Sequence, residues 1–186
     1  MYKLPSTLRR ILGPILLGMI SYLLCIFIPT RSIAHALGLF TPASGTALFG
    51  GVTMVLWIVL SELLYGYGAS IITSLVLIGL LLLTAPWYGV VDPYWFSLVG
   101  LLSVITMGVI IYIGVRLNNN LVASIIALAS MHLITWISMI LVDIIDINAI
   151  YTTIPLLTLI ACISGLLGGI LAEVIFNFIG AGKQEY

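Results

Sequence analysis

The feature that most limits what this chain can become is a repeated alternation: apolar runs of roughly 16 to 28 residues, each closed by a short cluster of Pro, Gly, Asn or charge. A hydrocarbon layer about 30 Å thick is crossed by about 20 helical residues rising 1.5 Å each, so runs of this length have one natural use. They are expected at residues 13–28, 46–65, 68–84, 94–115, 121–142 and 152–179. The breaks suit that reading: Pro29-Thr30-Arg31, Gly66, Ala85-Pro86, Arg116 with Asn118 to Asn120, and Asp143 are groups that lipid would not tolerate unpaired. The reading is a single domain, an all-α integral membrane protein built as a bundle of six transmembrane helices. Composition enters as support, because 62% of residues are hydrophobic and 6% charged, too little charge to clothe a water-soluble domain.

Orientation follows from the basic residues, which are retained on the cytoplasmic side during insertion. With six crossings Lys3, Arg9, Arg10, Arg116 and Lys183 share one side, and Arg31 alone lies opposite, among loops holding Asp92, Asp143 and Asp146. Both termini are therefore expected in the cytoplasm. The first run has a basic start but no small-residue cleavage pattern before its polar break, so it reads as a retained helix and not a signal peptide. Zero formal net charge gives no reason to expect a nucleic-acid partner.

The external loops are the longer and chemically richer ones. Residues 29–45 contain Arg31 and His35 and are long enough to fold back as a cover. Residues 86–95 place Trp87, Tyr88, Tyr94 and Trp95 within ten positions, and the third loop carries Asp143, Asp146, Asn148 and Tyr151. Aromatic rings collect at membrane interfaces in any protein, and they also stack on flat ligands. Both readings stay open for Trp87, Tyr88 and Trp95.

Inside the membrane, His132 falls near mid-depth of the fifth run, with Trp136 one turn further out on the same face and Asp143 two turns beyond. An imidazole and an indole at adjacent levels offer hydrogen bonds and stacking to a ligand entering from outside. The competing reading is a histidine that bonds a neighbouring helix and glues the bundle. Glu62 and Glu173 sit by depth at the cytoplasmic interface, where Arg9, Arg10 or Arg116 can meet them, and pairing or partner contact is the favoured role for Glu62, Glu173 and Arg116. Close helix packing is signalled by Gly165 and Gly169 and by Ala123 and Ala127, small residues four apart. Cys25 and Cys162 lie inside apolar runs and read as packing residues.

Several chemistries find no support. The sequence has no phosphate-cradling Gly-x-x-x-x-Gly-Lys loop, no His-Glu-x-x-His, no Gly-x-Ser-x-Gly and no cysteine-rich or Asp-rich metal cluster. No metal site, resident cofactor or enzymatic activity is expected.

The size, the six expected helices, the long first external loop and the Gly66-Tyr67-Gly68-Ala69-Ser70-Ile71-Ile72 turn opening the third helix resemble the substrate-binding S component of energy-coupling factor transporters. Within that family the pattern is most similar to the members linked to hydroxymethylpyrimidine or thiamine uptake. The resemblance implies capture of a small organic, heterocyclic ligand near the outer side, walled by the fourth to sixth helices, with His132, Trp136, Asp143, Trp87, Tyr88 and Trp95 as the positions to test. It also implies partners, namely a transmembrane coupling protein and ATPases. The chain departs from the family in two places: the first helix offers Pro14, Gly18 and Ser21 where an alanine pair four apart often docks the coupling subunit, and the amino terminus lacks the Met-His of the nickel and cobalt members. The reading from another class is a non-catalytic structural subunit of a larger respiratory or hydrogenase-like membrane complex, and an intramembrane lipid-modifying enzyme is disfavoured because carboxylates suited to acid and base work are few and scattered.

Overall fold

The computed structural model describes residues 6–39, 43–84, 93–141 and 149–179, and among them every regular element is helical. The elements are α1 (Ser6–Phe27), α2 (Thr30–Ala36), α3 (Ser44–Gly50), a π-helical turn (Gly51–Val55), α4 (Leu56–Tyr65), α5 (Ala69–Thr84), α6 (Pro93–Arg116), α7 (Asn120–Leu141) and α8 (Ala149–Phe178). Because α3, the π turn and α4 are continuous, Ser44–Tyr65 acts as one helix. Among the described residues five helices are long and apolar enough to cross a membrane, and α5, at 16 residues, is a shorter apolar one. The chain is a multi-pass helical membrane protein.

The expected spans map onto these helices with small shifts at their ends. The first begins seven residues earlier, at Ser6, since a helix continues through interfacial polar residues once its hydrogen-bond ladder is running. The first half of the loop after it is not open chain. Thr30–Ala36 is a short helix packed on α3, where Gly45 lets the Thr30–Arg31 backbone come close and Ala34 is fully buried.

Burial separates one helix from the rest. In the most apolar stretch of Ser44–Tyr65, 67% of residues are buried, against 28% to 39% in the other four long helices. It stands at the centre, touched by α1, α5, α6, α7 and α8, which follow one another around it. Exposed Val122, Ile126, Leu133, Ile137 and Leu141 on α7, and exposed Leu156, Leu159, Ile163, Leu167 and Val174 on α8, form the outward apolar faces that lipid would cover.

Lipid gives no hydrophobic drive for helices to associate, so close approach and interhelical hydrogen bonds must supply it. Small residues do this along the central helix. Gly51 and Gly168 meet backbone to backbone, and a Cβ on either would fall inside the other helix's main chain. Gly165 and Gly169 turn the neighbouring face of α8 onto Ser124 of α7, and Ala123 fills the space left by Gly114 of α6. The small-residue spacings in the sequence thus mark real contacts.

The π turn is fastened from both sides. Ser164 Oγ donates to the Leu48 carbonyl at 2.9 Å and accepts the Gly51 N–H at 2.9 Å, while Ser21 Oγ donates to the Thr53 carbonyl at 2.6 Å. Those hydroxyls take up main-chain groups that a π insertion displaces from the regular ladder. Trp57 Nε1–H takes another, the Val52 carbonyl, at 3.0 Å. Pro14, Gly18 and Ser21 of α1 are all used inward: the Pro14 carbonyl accepts Thr73 Oγ1–H at 3.1 Å, Gly18 admits the α5 backbone, and Ser21 holds the π turn.

Candidate functional site

Two places in the bundle gather polar chemistry, and they lie at different depths. The first is on α7. Its inward face reads Ala123, Ser124, Ala127, Leu128, Met131, His132, Trp136 and Met139, a stripe at helical spacing that keeps the imidazole and the indole away from the outer apolar face. His132 is 3% exposed and Trp136 1%, so both face protein and not acyl chains. Trp136 belongs to the same continuous core as Leu128, Met131, Met107 and Leu157.

The two side chains bond each other. Trp136 Nε1–H donates to His132 Nε2 at 2.8 Å, with ring centroids 6.0 Å apart and planes at 66°. Acceptance at Nε2 puts the proton of the neutral ring on Nδ1, which becomes the donor left to the pair. The arrangement keeps the imidazole's Nε2 lone pair occupied by the indole N–H. It can bind by hydrogen bond and ring stacking, and a ligand that uses the indole N–H must first take the place of the imidazole.

The second place is one end of the bundle, where the α4–α5 and α6–α7 turns and the end of α8 enclose an open cleft of about 590 Å³, lined in part by Glu62, Tyr67, Arg116, Asn118, Asn120 and Phe176. Glu62, 2% exposed, closes its floor. Its carboxylate accepts the N–H groups of Gly68 at 3.1 Å and Ser70 at 2.9 Å and the Ser70 hydroxyl at 2.9 Å. These are donors at the start of α5, where the helix dipole also favours a negative charge. Gly66, Tyr67 and Gly68, at φ of 62°, 52° and 83°, make the left-handed turn that folds the start of α5 back onto Glu62.

No family model, curated protein or solved structure matches the chain.

The residues expected from the sequence therefore divide by place. His132 and Trp136 come together in the interior. Trp87, Tyr88 and Asp143 lie outside the described residues, as does the side chain of Trp95, whose backbone is in the first turn of α6. Glu62, Glu173 and Arg116 do share one end of the bundle, but the expected pairing with arginines is corrected: among the described residues Glu62 is held by the start of α5, and Glu173 accepts the Asn120 amide at 3.2 Å. The guanidiniums lie instead on tyrosine rings, Arg10 over Tyr67 at 4.5 Å and Arg116 over Tyr112 at 4.6 Å. A helix-start N–H array reaches a buried carboxylate without taking a second charge out of water. Sequence reasoning missed Ser70, although its position after the Gly-x-Gly turn was the available signal.

The indole–imidazole bond is measurable by itself. A double-mutant cycle on Trp136→Phe and His132→Leu, read by thermal unfolding in mild detergent, is expected to return a coupling of about 0.6 to 1.5 kcal/mol. Strictly additive losses would mean that the two rings do not bond in the membrane.

Proposed function

We propose that this chain is the substrate-capture subunit of an ATP-driven uptake transporter of the cell membrane, a six-helix receptor with both termini cytoplasmic that binds a small organic, heterocyclic nutrient from the external side. It performs no chemistry; translocation belongs to a transmembrane coupling protein and ATPases. The observation that carries this reading is the His132–Trp136 pair, two polar aromatic groups turned into the protein near mid-depth of α7. Burying such groups within the hydrocarbon is costly, and a binding role explains why the cost is borne there. Asp143 follows the end of α7 by two residues, on the side from which a ligand would enter.

Under this reading the internal bond is the resting state of the site. With no ligand the indole N–H is parked on Nε2; a heterocycle supplying its own acceptor and a flat face releases both rings to itself. Such a ligand favours the opened conformer by the difference in contacts it makes there, which is what a capture subunit needs in order to signal occupancy. Native mass spectrometry of the gently solubilised protein, with thiamine and hydroxymethylpyrimidine as added probes, tests the reading directly. A retained small molecule is expected, and Trp136→Phe or His132→Ala should weaken it about tenfold, one hydrogen bond's worth. Unchanged affinity in both variants would remove the pair from the site.

The bond between the two rings favours a second reading, a structural subunit of a larger respiratory or hydrogenase-like complex in which that bond stiffens α7. Purification in mild detergent separates the two, since ATPases accompany a capture subunit and redox subunits accompany a structural one.

A further inference from the structure

The end of the bundle that carries the cleft has an uneven charge display. Among the described residues its exposed charges are Arg9, Arg10 and Arg116, whereas Glu62 is buried and Glu173 is partly covered and bonded to Asn120. Two of the three cations are held in place. Arg10 stacks on Tyr67, which is 72% exposed on its left-handed turn, and Arg116 stacks on Tyr112. A guanidinium lying on a ring keeps its N–H edges available while its torsional freedom is reduced, so less entropy is lost when it pairs. Tyr67, the ring beneath Arg10, and Arg116 both line the cleft, with Leu63, Val115 and Phe176 as its apolar lining and Glu62, Asn118 and Asn120 as its polar part. Glu62 does not spoil this cationic rim, because its charge is turned toward the first N–H groups of α5.

We propose that this end is a docking cup for an acidic, amphipathic segment of a partner protein, whose carboxylates meet Arg10 and Arg116 while an apolar side chain enters between Leu63, Val115 and Phe176. The argument is charge complementarity at the rim together with an apolar patch inside the cleft, where Leu63, Val115 and Phe176 lie beside a Glu62 carboxylate already occupied by the start of α5. It deepens the reading above, in which the chain depends on other subunits, by stating the chemistry that a partner must present.

Phe176 replaced by the photoreactive p-azidophenylalanine places a probe in the cup of the full-length protein, irradiated in intact membranes. Mass spectrometric sequencing of the cross-linked product is expected to give a peptide with carboxylates on both sides of an apolar residue. Its yield should fall about tenfold in Arg10→Gln/Arg116→Gln and severalfold in wild type at high salt, because exposed ion pairs are weak singly and screened. Arg10→Lys/Arg116→Lys, which preserves the positive charges that set membrane orientation, should keep most of it. A basic or neutral peptide, adducts to lipid alone, no adduct at all, or a yield indifferent to the glutamine pair each overturn the proposal. Native mass spectrometry of the same preparations weighs any retained small molecule, so the loss of docking and the loss of the receptor reading are told apart.

Discussion

Glu62→Ala is expected to be among the most damaging single changes in the chain, lowering stability in detergent by about 3 kcal/mol. The substitution removes the acceptor of three donors at once: Gly68 N–H, Ser70 N–H and Ser70 Oγ–H. A buried donor left without a partner costs about 1 to 3 kcal/mol, and the low end applies because the neighbouring cleft lets water reach some of them. For a chain of this size the loss corresponds to a fall of about 6 to 12 °C in the midpoint of thermal unfolding. Glu62→Gln keeps one carbonyl oxygen but turns an NH2 toward other donors and surrenders the charge that faces the helix start, so about half the effect is expected. Ser70→Ala removes one hydroxyl and should cost less still. If Glu62→Ala melts with wild type, the carboxylate is not what holds α5 against the central helix.

How far the sequence could be read is shown by that same glutamate. Its place at one end of the bundle was legible, because counting 1.5 Å per residue along an apolar run puts it near the end of that run. Its partner was not, because the donors lie six and eight residues on, across a turn whose three left-handed residues decide the geometry. The Gly66-Tyr67-Gly68-Ala69-Ser70 stretch stood out as part of a family resemblance, whereas its physical content is a backbone fold that delivers N–H groups to Glu62. The helices themselves were legible for a simpler reason: lipid sets their length, and polar clusters end them. Which helix stands at the centre does not follow from apolar content. Ser44–Tyr65 is no more apolar than α6, and its burial follows from small residues that admit its neighbours: Gly45 admits α2, Gly50 the Leu128 side chain of α7, Gly51 the backbone of α8, and Ser61 the Thr73 hydroxyl of α5. The π turn was invisible for the same reason, since it answers to Ser164, 113 positions away. On α7, the shared face of His132 and Trp136 followed from the four-residue spacing, and their bond to each other is what only the side-chain geometry shows.

The close approach of the central helix to α8 gives the other large expected effect. Gly51→Ala should destabilise by about 3 kcal/mol or more, the upper range for overpacking, or prevent accumulation of folded protein. The new methyl group would overlap the main-chain oxygen of Ser164, and a backbone atom in a helix cannot swing aside as a side chain can. The helices would have to separate, and with them would go the two hydrogen bonds by which Ser164 holds the π turn. Because the obstacle is backbone, trimming the opposing side chain offers no relief: Gly51→Ala/Ser164→Gly should be no better than Gly51→Ala. Gly50 provides the contrast one residue away, since its added Cβ would meet the end of the Leu128 side chain, and Gly50→Ala should recover substantially when combined with Leu128→Val. Gly79, on α5 with open space around its missing Cβ, serves as the reference, and Gly79→Ala should be neutral or stabilising by up to about 1 kcal/mol. Thermal unfolding of the set in one detergent ranks them. Rescue of Gly51→Ala by Ser164→Gly would show that side chains and not main chains set the distance between these helices, and the packing argument for the bundle's centre would fail with it.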